Sequence, residues 1–569
     1  MRLANGVQTR DLKLETALRR AKDVAVRIGN PRELRDYLHT LTLGHAHLRT
    51  LAQLFSFEPR RAQGARYFFG HFAELHERIA GDGSSFAEAV DNFKEALSED
   101  RDSHCRIGMS RYNFFCLDQI AASLLSLKGA TDIGFSPLAV YPLRDIIRNF
   151  ILYAEQIQTK LKPAHIDLVI IDEQLIELLQ LVQFHAQRGK VSEKGLLRLL
   201  GIVTEHAFIG PQTIVFDPYH KCNLECAHCF VHNPRIRHPQ AFLDRQFDYG
   251  IFTRIVDDAA RLRTDTIILQ GDGEPLLCGA FFDMVSYARA KGIEVTFFTN
   301  GSLLDEPKAR QAVELGVQGI YCSLPAGTAQ TYRQVTTRGT EAMFDVTVEN
   351  LKRLLAIRKG LNKTEPRLIM THVIHALNYH ELVAMARLDA SIGADASRFY
   401  LIRLDANNAS LKLQDTHVRS IKKDLPACAR ILKRHRVEFI DNIFFQLGHY
   451  DRDTGAWSKD VFSQQGCMIG WYFCLIPAQY DASLCCHLRT TGHLDRQSFK
   501  DLWESRDYRS YRVKAKHLKR NADFVFSNGV TLYDQHCQHC DNHQSLLAIS
   551  QELRNLGFDT FLNADATRQ

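Results

Sequence analysis

No stretch of this 569-residue chain stays apolar for the roughly 18 residues that a membrane-spanning helix requires, so no membrane association is expected. The start, Met1-Arg2-Leu3-Ala4-Asn5-Gly6, is not followed by the apolar core of an export signal, and a cytoplasmic protein is expected. Charge of neither sign dominates: 71 Lys and Arg stand against 65 Asp and Glu, well mixed along the chain. A concentrated basic face is therefore not expected, which argues against a nucleic-acid partner. Repeats and low-complexity tracts are also missing. What remains is an ordinary globular composition, 45% hydrophobic and 24% charged with 15 Pro. The length exceeds what one hydrophobic core supports and points to two to four domains.

Cysteine is the residue that stands out, with 14 in the chain. Without an export signal, clustered cysteines point to metal rather than to disulfides. Cys222, Cys226 and Cys229 fall within eight residues, directly after the apolar run Thr213-Ile214-Val215-Phe216. Three thiolates can hold three corners of a cubane iron–sulfur cluster, leaving the fourth iron open to a small molecule. A second set lies near the end of the chain: Cys467, Cys474, the pair Cys485-Cys486, and Cys537-Gln538-His539-Cys540. Cys105, Cys116, Cys278, Cys322 and Cys428 stand alone and read as small buried hydrophobes.

The chain changes texture twice. Residues 1–205 read as an all-helical domain, with three- and four-residue apolar spacing over 33–55, 62–79, 86–97, 138–157 and 175–184. That domain is read as a binding unit for a leader peptide or partner protein, or equally as a packing or dimerisation unit. Residues 206–440 alternate strands with amphipathic helices. Strands are expected at 213–216, 266–270, 294–299, 319–323, 367–374 and 397–401. Helices are expected at 251–260, 282–290, 309–315, 344–357 and 381–392. The fold class is α/β: a partial (β/α)6 TIM-like barrel, with ligand residues gathered at the C-terminal ends of its strands. Residues 441–569 read as a small, irregular lobe organised by iron–sulfur binding.

The middle region resembles the radical S-adenosylmethionine (SAM) enzymes. The loop Cys222-x3-Cys226-x2-Cys229, with His228 before the last cysteine, matches that family's cluster motif. Gly271-Asp272-Gly273-Glu274-Pro275 resembles its Gly-Gly-Glu-Pro segment, with Asp272 in place of a glycine. Thr299-Asn300-Gly301, Ser323-Leu324-Pro325 and Val373-Ile374-His375 follow at successive strand ends. The resemblance spans 212–405. It implies that Cys222, Cys226 and Cys229 bind a [4Fe–4S] cluster whose open iron chelates SAM. It further implies that His228, Gly273, Glu274, Pro275, Asn300 and Ser323 border SAM, which one electron cleaves to methionine and a 5′-deoxyadenosyl radical. The C-terminal lobe resembles the auxiliary-cluster extensions called SPASM or, in shorter form, Twitch. It implies a second [4Fe–4S] cluster on Cys474, Cys485, Cys537 and Cys540, with Cys486 the alternative to Cys485. Cys467 is read as inert or as a substitute for one of these ligands. Cys322 reads as a strand residue, with hydrogen donation to a product radical the catalytic alternative. His220 and Lys221 read as a solvated loop end, or as charges that tune the cluster.

Relatives of this layout act on peptides or natural products and take electrons from a reductant such as flavodoxin or ferredoxin. Two other classes of function are weighed. A non-catalytic iron–sulfur carrier or redox sensor needs a fourth protein ligand at the first cluster and has no use for Glu274 or Asn300. A zinc-stabilised interaction protein is compatible with four thiolates, which suit tetrahedral zinc equally well.

Overall fold

The computed structural model describes residues 188–562, the short stretches 56–57, 106–109 and 167–170, and five positions between 178 and 185. The expected helices at 33–55, 62–79, 86–97 and 138–157 lie outside the described residues; within 175–184, Leu178, Leu181, Val182 and Phe184 are helical. The all-helical reading of 1–205 is corrected by three short strands. β1 (Ser56–Phe57) runs antiparallel to β2 (Arg106–Met109), which runs parallel to β3 (Asp167–Ile170). Strands of two to four residues are shorter than the window over which a period can be read.

The chain forms two compact units, Gly210–Ile549 and Met1–Ile209 with Ser550–Gln569. The larger unit is built on a ten-stranded sheet. β4 (Thr213–Phe216), β5 (Thr266–Leu269), β6 (Glu294–Thr299), β7 (Gly319–Ser323), β8 (Arg367–Ile374) and β9 (Ala396–Leu401) pair in sequence order, all parallel. Helices Tyr249–Arg261, Phe281–Ala290, Glu306–Glu314, Glu341–Gly360 and Leu382–Ile392 fall between strands of this series. Their starts are written in the sequence: Asp248, Asp305 and Thr340 each accept a hydrogen bond from a first-turn amide. Sequential parallel strands with helical crossovers make the open barrel that the resemblance implies.

Strand alternation separates the two faces of that barrel. Val295, Phe297, Ile320, Cys322, Leu368, Met370, Ser397 and Phe399 are wholly buried. The register puts them on one face, with Phe297 in edge contact with Phe281 of the second crossover helix. The opposite face carries Phe298, Tyr321, Ser323, Arg398 and Tyr400, which are only half-buried. The interior is therefore not filled by side chains, as a closed barrel's would be.

The sheet extends past the six expected strands at both edges. β10 (Glu438–Ile440) adds in parallel beside β9. On the other edge β11 (Phe473–Ile476) pairs in parallel with β4, and β12 (Asp481–Ser483) and β13 (Thr490–His493) follow antiparallel. The C-terminal lobe is thus more regular than its sequence implies. Its tryptophans Trp457, Trp471 and Trp503 are all buried, at 2% exposure or less. Arg512 lies 3.8 Å over the Trp503 ring. Among the described residues no helix is long and apolar enough to cross a membrane.

Candidate active site

The three-cysteine loop leaves β4 and is held by its backbone. Cys226 forms a bridge with Thr336, the Ala227 amide donates to the Val335 carbonyl at 2.8 Å, and the Thr337 amide donates to that of Glu225 at 2.8 Å. Backbone amides also point at sulfur: Leu224 at Cys222 (3.5 Å), and Val231 and His232 at Cys229 (3.4 and 3.1 Å). Burial pushes the Cys222 thiol up to about 12, and the charges of Glu274 and Cys229 add to this. Cys226 is also raised, by burial and then by the charges of Cys229 and Cys222. Thiols so crowded and so dry ionise only when a cation is supplied, so this donor set suits a metal cluster.

The second strand end lies directly against the loop. A Cβ on Gly273 would sit 2.3 Å from the Lys221 carbonyl oxygen and 2.4 Å from that of Tyr219. The Glu274 amide donates to the Lys221 carbonyl at 2.9 Å. Glycine at 273 is what lets these two backbones touch. Gly273→Ala is expected to displace the Gly273–Pro275 segment and to cost about a hundredfold in SAM-dependent turnover. An unchanged rate would show that the contact is not needed.

Glu274 does something the sequence does not reveal. It is 2% exposed, and its Oε1 accepts from Thr299 Oγ1 (2.7 Å) and the Leu276 amide (3.2 Å) while Oε2 accepts from the Asn300 amide (2.8 Å). The carboxylate therefore ties the ends of β5 and β6 together. Asn300 in turn receives Ser302 Oγ (2.6 Å) and donates its Nδ2 to Asn223 Oδ1 (2.9 Å), and Asn223 donates to Ser302 Oγ (2.9 Å). This ring locks the cysteine loop onto β6. Asn223 and Ser302 were not singled out from the sequence, because their roles depend on a contact 79 residues apart.

The remaining positions divide by strand face. Ser323 stands on the half-exposed inner face, and Pro275 is buried behind Gly273. Cys322 is placed away from the barrel interior: it is 0% exposed, on the helix-covered face. A Cβ on Gly301 would lie 2.9 Å from its sulfur. Consecutive residues of a strand face opposite ways, so Cys322 and Ser323 cannot both reach the interior. His228 stacks on His375 at 5.4 Å, its Nδ1 buried without a hydrogen-bond partner; burial pushes its ring down to about 4. His220 is not a solvated loop end. It is fully buried with Nε2 2.9 Å from Asp217, and these two with Asp272 bring ligand-type atoms within 4.8 Å of one another. Lys221 is exposed.

In the lobe, Arg489 organises the thiols. It is 1% exposed, and it donates to Cys485 Sγ (3.4 Å), Cys537 Sγ (3.2 Å) and the Leu532 carbonyl (2.8 Å), with Asp534 at 3.2 Å. Cys467 joins them: burial pushes its thiol up to about 12, and the charges of Cys485 and Cys537 also act on it. Cys486, His487 and Cys540 lie within 4.8 Å of one another, and Asn542 donates to Cys486 Sγ at 3.6 Å. Cys540 also feels the charges of Cys537 and Cys485. Cys474 is placed differently. It is wholly buried in β11, beside Tyr508 and Arg512.

Comparison with known proteins agrees with this geometry. Residues 217–388 match the radical SAM superfamily, and residues 467–541 match SPASM, an iron–sulfur cluster-binding domain. The tungsten-containing aldehyde ferredoxin oxidoreductase cofactor-modifying protein of Pyrococcus furiosus is 31% identical over 179 residues, covering 31% of this chain and 47% of that protein. The Fe-coproporphyrin III synthase of Methanosarcina barkeri is 25% identical over 201 residues, covering 32% and 47%. The PqqA peptide cyclase of Gluconobacter oxydans is 26% identical over 184 residues, again covering 32% and 47%. The chain thus spans about half the length of these relatives. Among solved structures, Streptococcus suis SuiB bound to S-adenosylmethionine aligns at 14% identity with a TM-score of 0.44, covering 77% of this chain and 89% of SuiB.

Proposed function

We propose that this chain, which carries a radical SAM domain and a SPASM iron–sulfur cluster-binding domain, is an enzyme that takes a hydrogen atom from a peptide or natural-product substrate. The observation that carries the proposal is the join at the strand ends. Three half-buried cysteines lie on a loop that Gly273, Glu274, Asn300 and Asn223 lock to β5 and β6, above a barrel interior left open. Cys222, Cys226 and Cys229 would hold a [4Fe–4S] cluster, which when reduced would supply the electron for cleavage of SAM.

The protein's own share is positional. Asn300 and Ser323 border the SAM side of the barrel mouth, and Glu274 fixes the Gly273–Pro275 backbone rather than serving as a free counter-charge. The His228–His375 pair closes the mouth near the last cysteine, where a dry wall protects a radical from quenching.

The auxiliary cluster is assigned to Cys467, Cys485, Cys537 and Cys540, with Cys486 adjoining them. Cys467 replaces Cys474 in this set because it shares the Arg489-centred group, whereas Cys474 sits in the sheet. The reductant is a small electron carrier of the flavodoxin or ferredoxin type, and the protein is assigned to the cytoplasm. Peptide modification is favoured by the likeness to a peptide cyclase; the likeness to an Fe-coproporphyrin III synthase keeps small natural products in view.

The test is anaerobic incubation of iron-loaded protein with SAM and dithionite, followed by mass spectrometry. Formation of 5′-deoxyadenosine is expected. Its absence from fully iron-loaded protein would refute the assignment.

A further inference from the structure

Among the described residues, the barrel interior holds an arginine that no carboxylate meets within 4 Å. Arg398 lies on the inner face of β9, opposite Thr371 of β8 in the register. Its guanidinium carbon lies 4.5 Å from the Tyr321 ring centre, 4.7 Å from that of Tyr400 and 5.3 Å from that of Phe298. Phe298 and Tyr321 stack at 4.6 Å and 8°, so they offer one continuous aromatic wall. Arg398 Nε donates to Thr371 Oγ1 at 3.1 Å, which fixes the plane of the fork. Among the described residues, neither terminal nitrogen finds an acceptor, and no carboxylate comes within 4 Å.

Arg403, just past the end of β9, repeats the pattern. It stands 3.9 Å over the Phe230 ring, again with no carboxylate within 4 Å among the described residues. Phe230 directly follows Cys229, and on the other side a Cβ on Gly455 would lie 2.5 Å from Cδ1 of the neighbouring Leu404, on the segment whose Ser458 donates to the Cys537 carbonyl and accepts from the Cys540 amide. Arg403 therefore stands between the two cysteine sets. Aromatic faces offset only part of the cost of a half-buried cation. A guanidinium held flat, with its outer edge free, is shaped for a planar carboxylate.

We propose that Arg398 and Arg403 bind carboxylate groups of the substrate, so that the enzyme acts on an acidic molecule anchored between the two cysteine sets. This rests on reading the open barrel interior as the substrate site, and it makes the two arginines specificity-determining residues.

The test uses iron-loaded, SAM-bound protein and measures binding by calorimetry. One arm uses the α,ω-dicarboxylates from succinate to suberate against their diamides. The other uses tri-glutamate against tri-glutamine. Acids are expected to bind about tenfold tighter than their amides in at least one arm, and the arm that does so separates a small-molecule from a peptidic source. Arg398→Gln and Arg403→Gln are each expected to remove that preference. Arg398→Lys, which keeps the charge and loses the fork, is expected to keep part of it. SAM affinity, measured separately by equilibrium dialysis, is expected to stay within about twofold in all three variants. Equal binding of acids and amides overturns the proposal. So does a matching loss of SAM affinity, which would assign the arginines to the carboxylate of SAM itself. If the wild type binds acids selectively but forms no 5′-deoxyadenosine, the radical reading fails and the arginine pair stands.

Discussion

Cys226→Ala is expected to abolish reductive cleavage of SAM and to lower the iron content from about eight to about four atoms per chain. The loss would be one of ligation rather than of folding. The bridge that Cys226 makes to Thr336 runs through the main chain, as do the bonds of Ala227 to Val335 and of Thr337 to Glu225. Alanine keeps all of these and removes only the sulfur. The auxiliary iron, held on a different part of the chain, is expected to remain. Iron analysis and mass spectrometry of 5′-deoxyadenosine read the two outcomes together. Retained cleavage in this variant would show that a different residue holds the first cluster.

The second large effect separates two cysteines seven positions apart. Cys467→Ala is expected to strip the auxiliary iron, taking the total to about four atoms, whereas Cys474→Ala keeps about eight. Cys467 shares the neighbourhood of Cys485 and Cys537, whose thiols are drawn to the buried Arg489. Cys474 faces the buried side of β11, a strand locked to β4 along four paired residues. Loss of the auxiliary iron in Cys474→Ala together with its retention in Cys467→Ala would restore the set that spacing alone suggests.

That contrast shows where the sequence stops. The six barrel strands are legible because each is a β-branched or aromatic run between turn signals, and four of them begin and end where expected. Phe473-Cys474-Leu475-Ile476 is equally strand-like, but it lies in a region dense with cysteines that reads as irregular. Once it is a strand, alternation buries Cys474 and Ile476 and leaves Phe473 and Leu475 half-exposed. Alternation could also have removed Cys322 from consideration, since its neighbour Ser323 takes the inner face. Arg489, Asn223 and Arg398 could not be read in this way. Each acts through partners on other strands or loops, and no local spacing records such a contact. Glu274 is intermediate: its place in the motif is visible, but its three donors come from two different strand ends.

The most direct test is the metal content of the wild-type protein purified without oxygen. Two cluster sites, one with an open iron and one in the lobe, predict about eight iron and eight sulfide per chain. Stoichiometric zinc without iron would contradict the account, because the same thiols would then be structural and no electron could reach SAM.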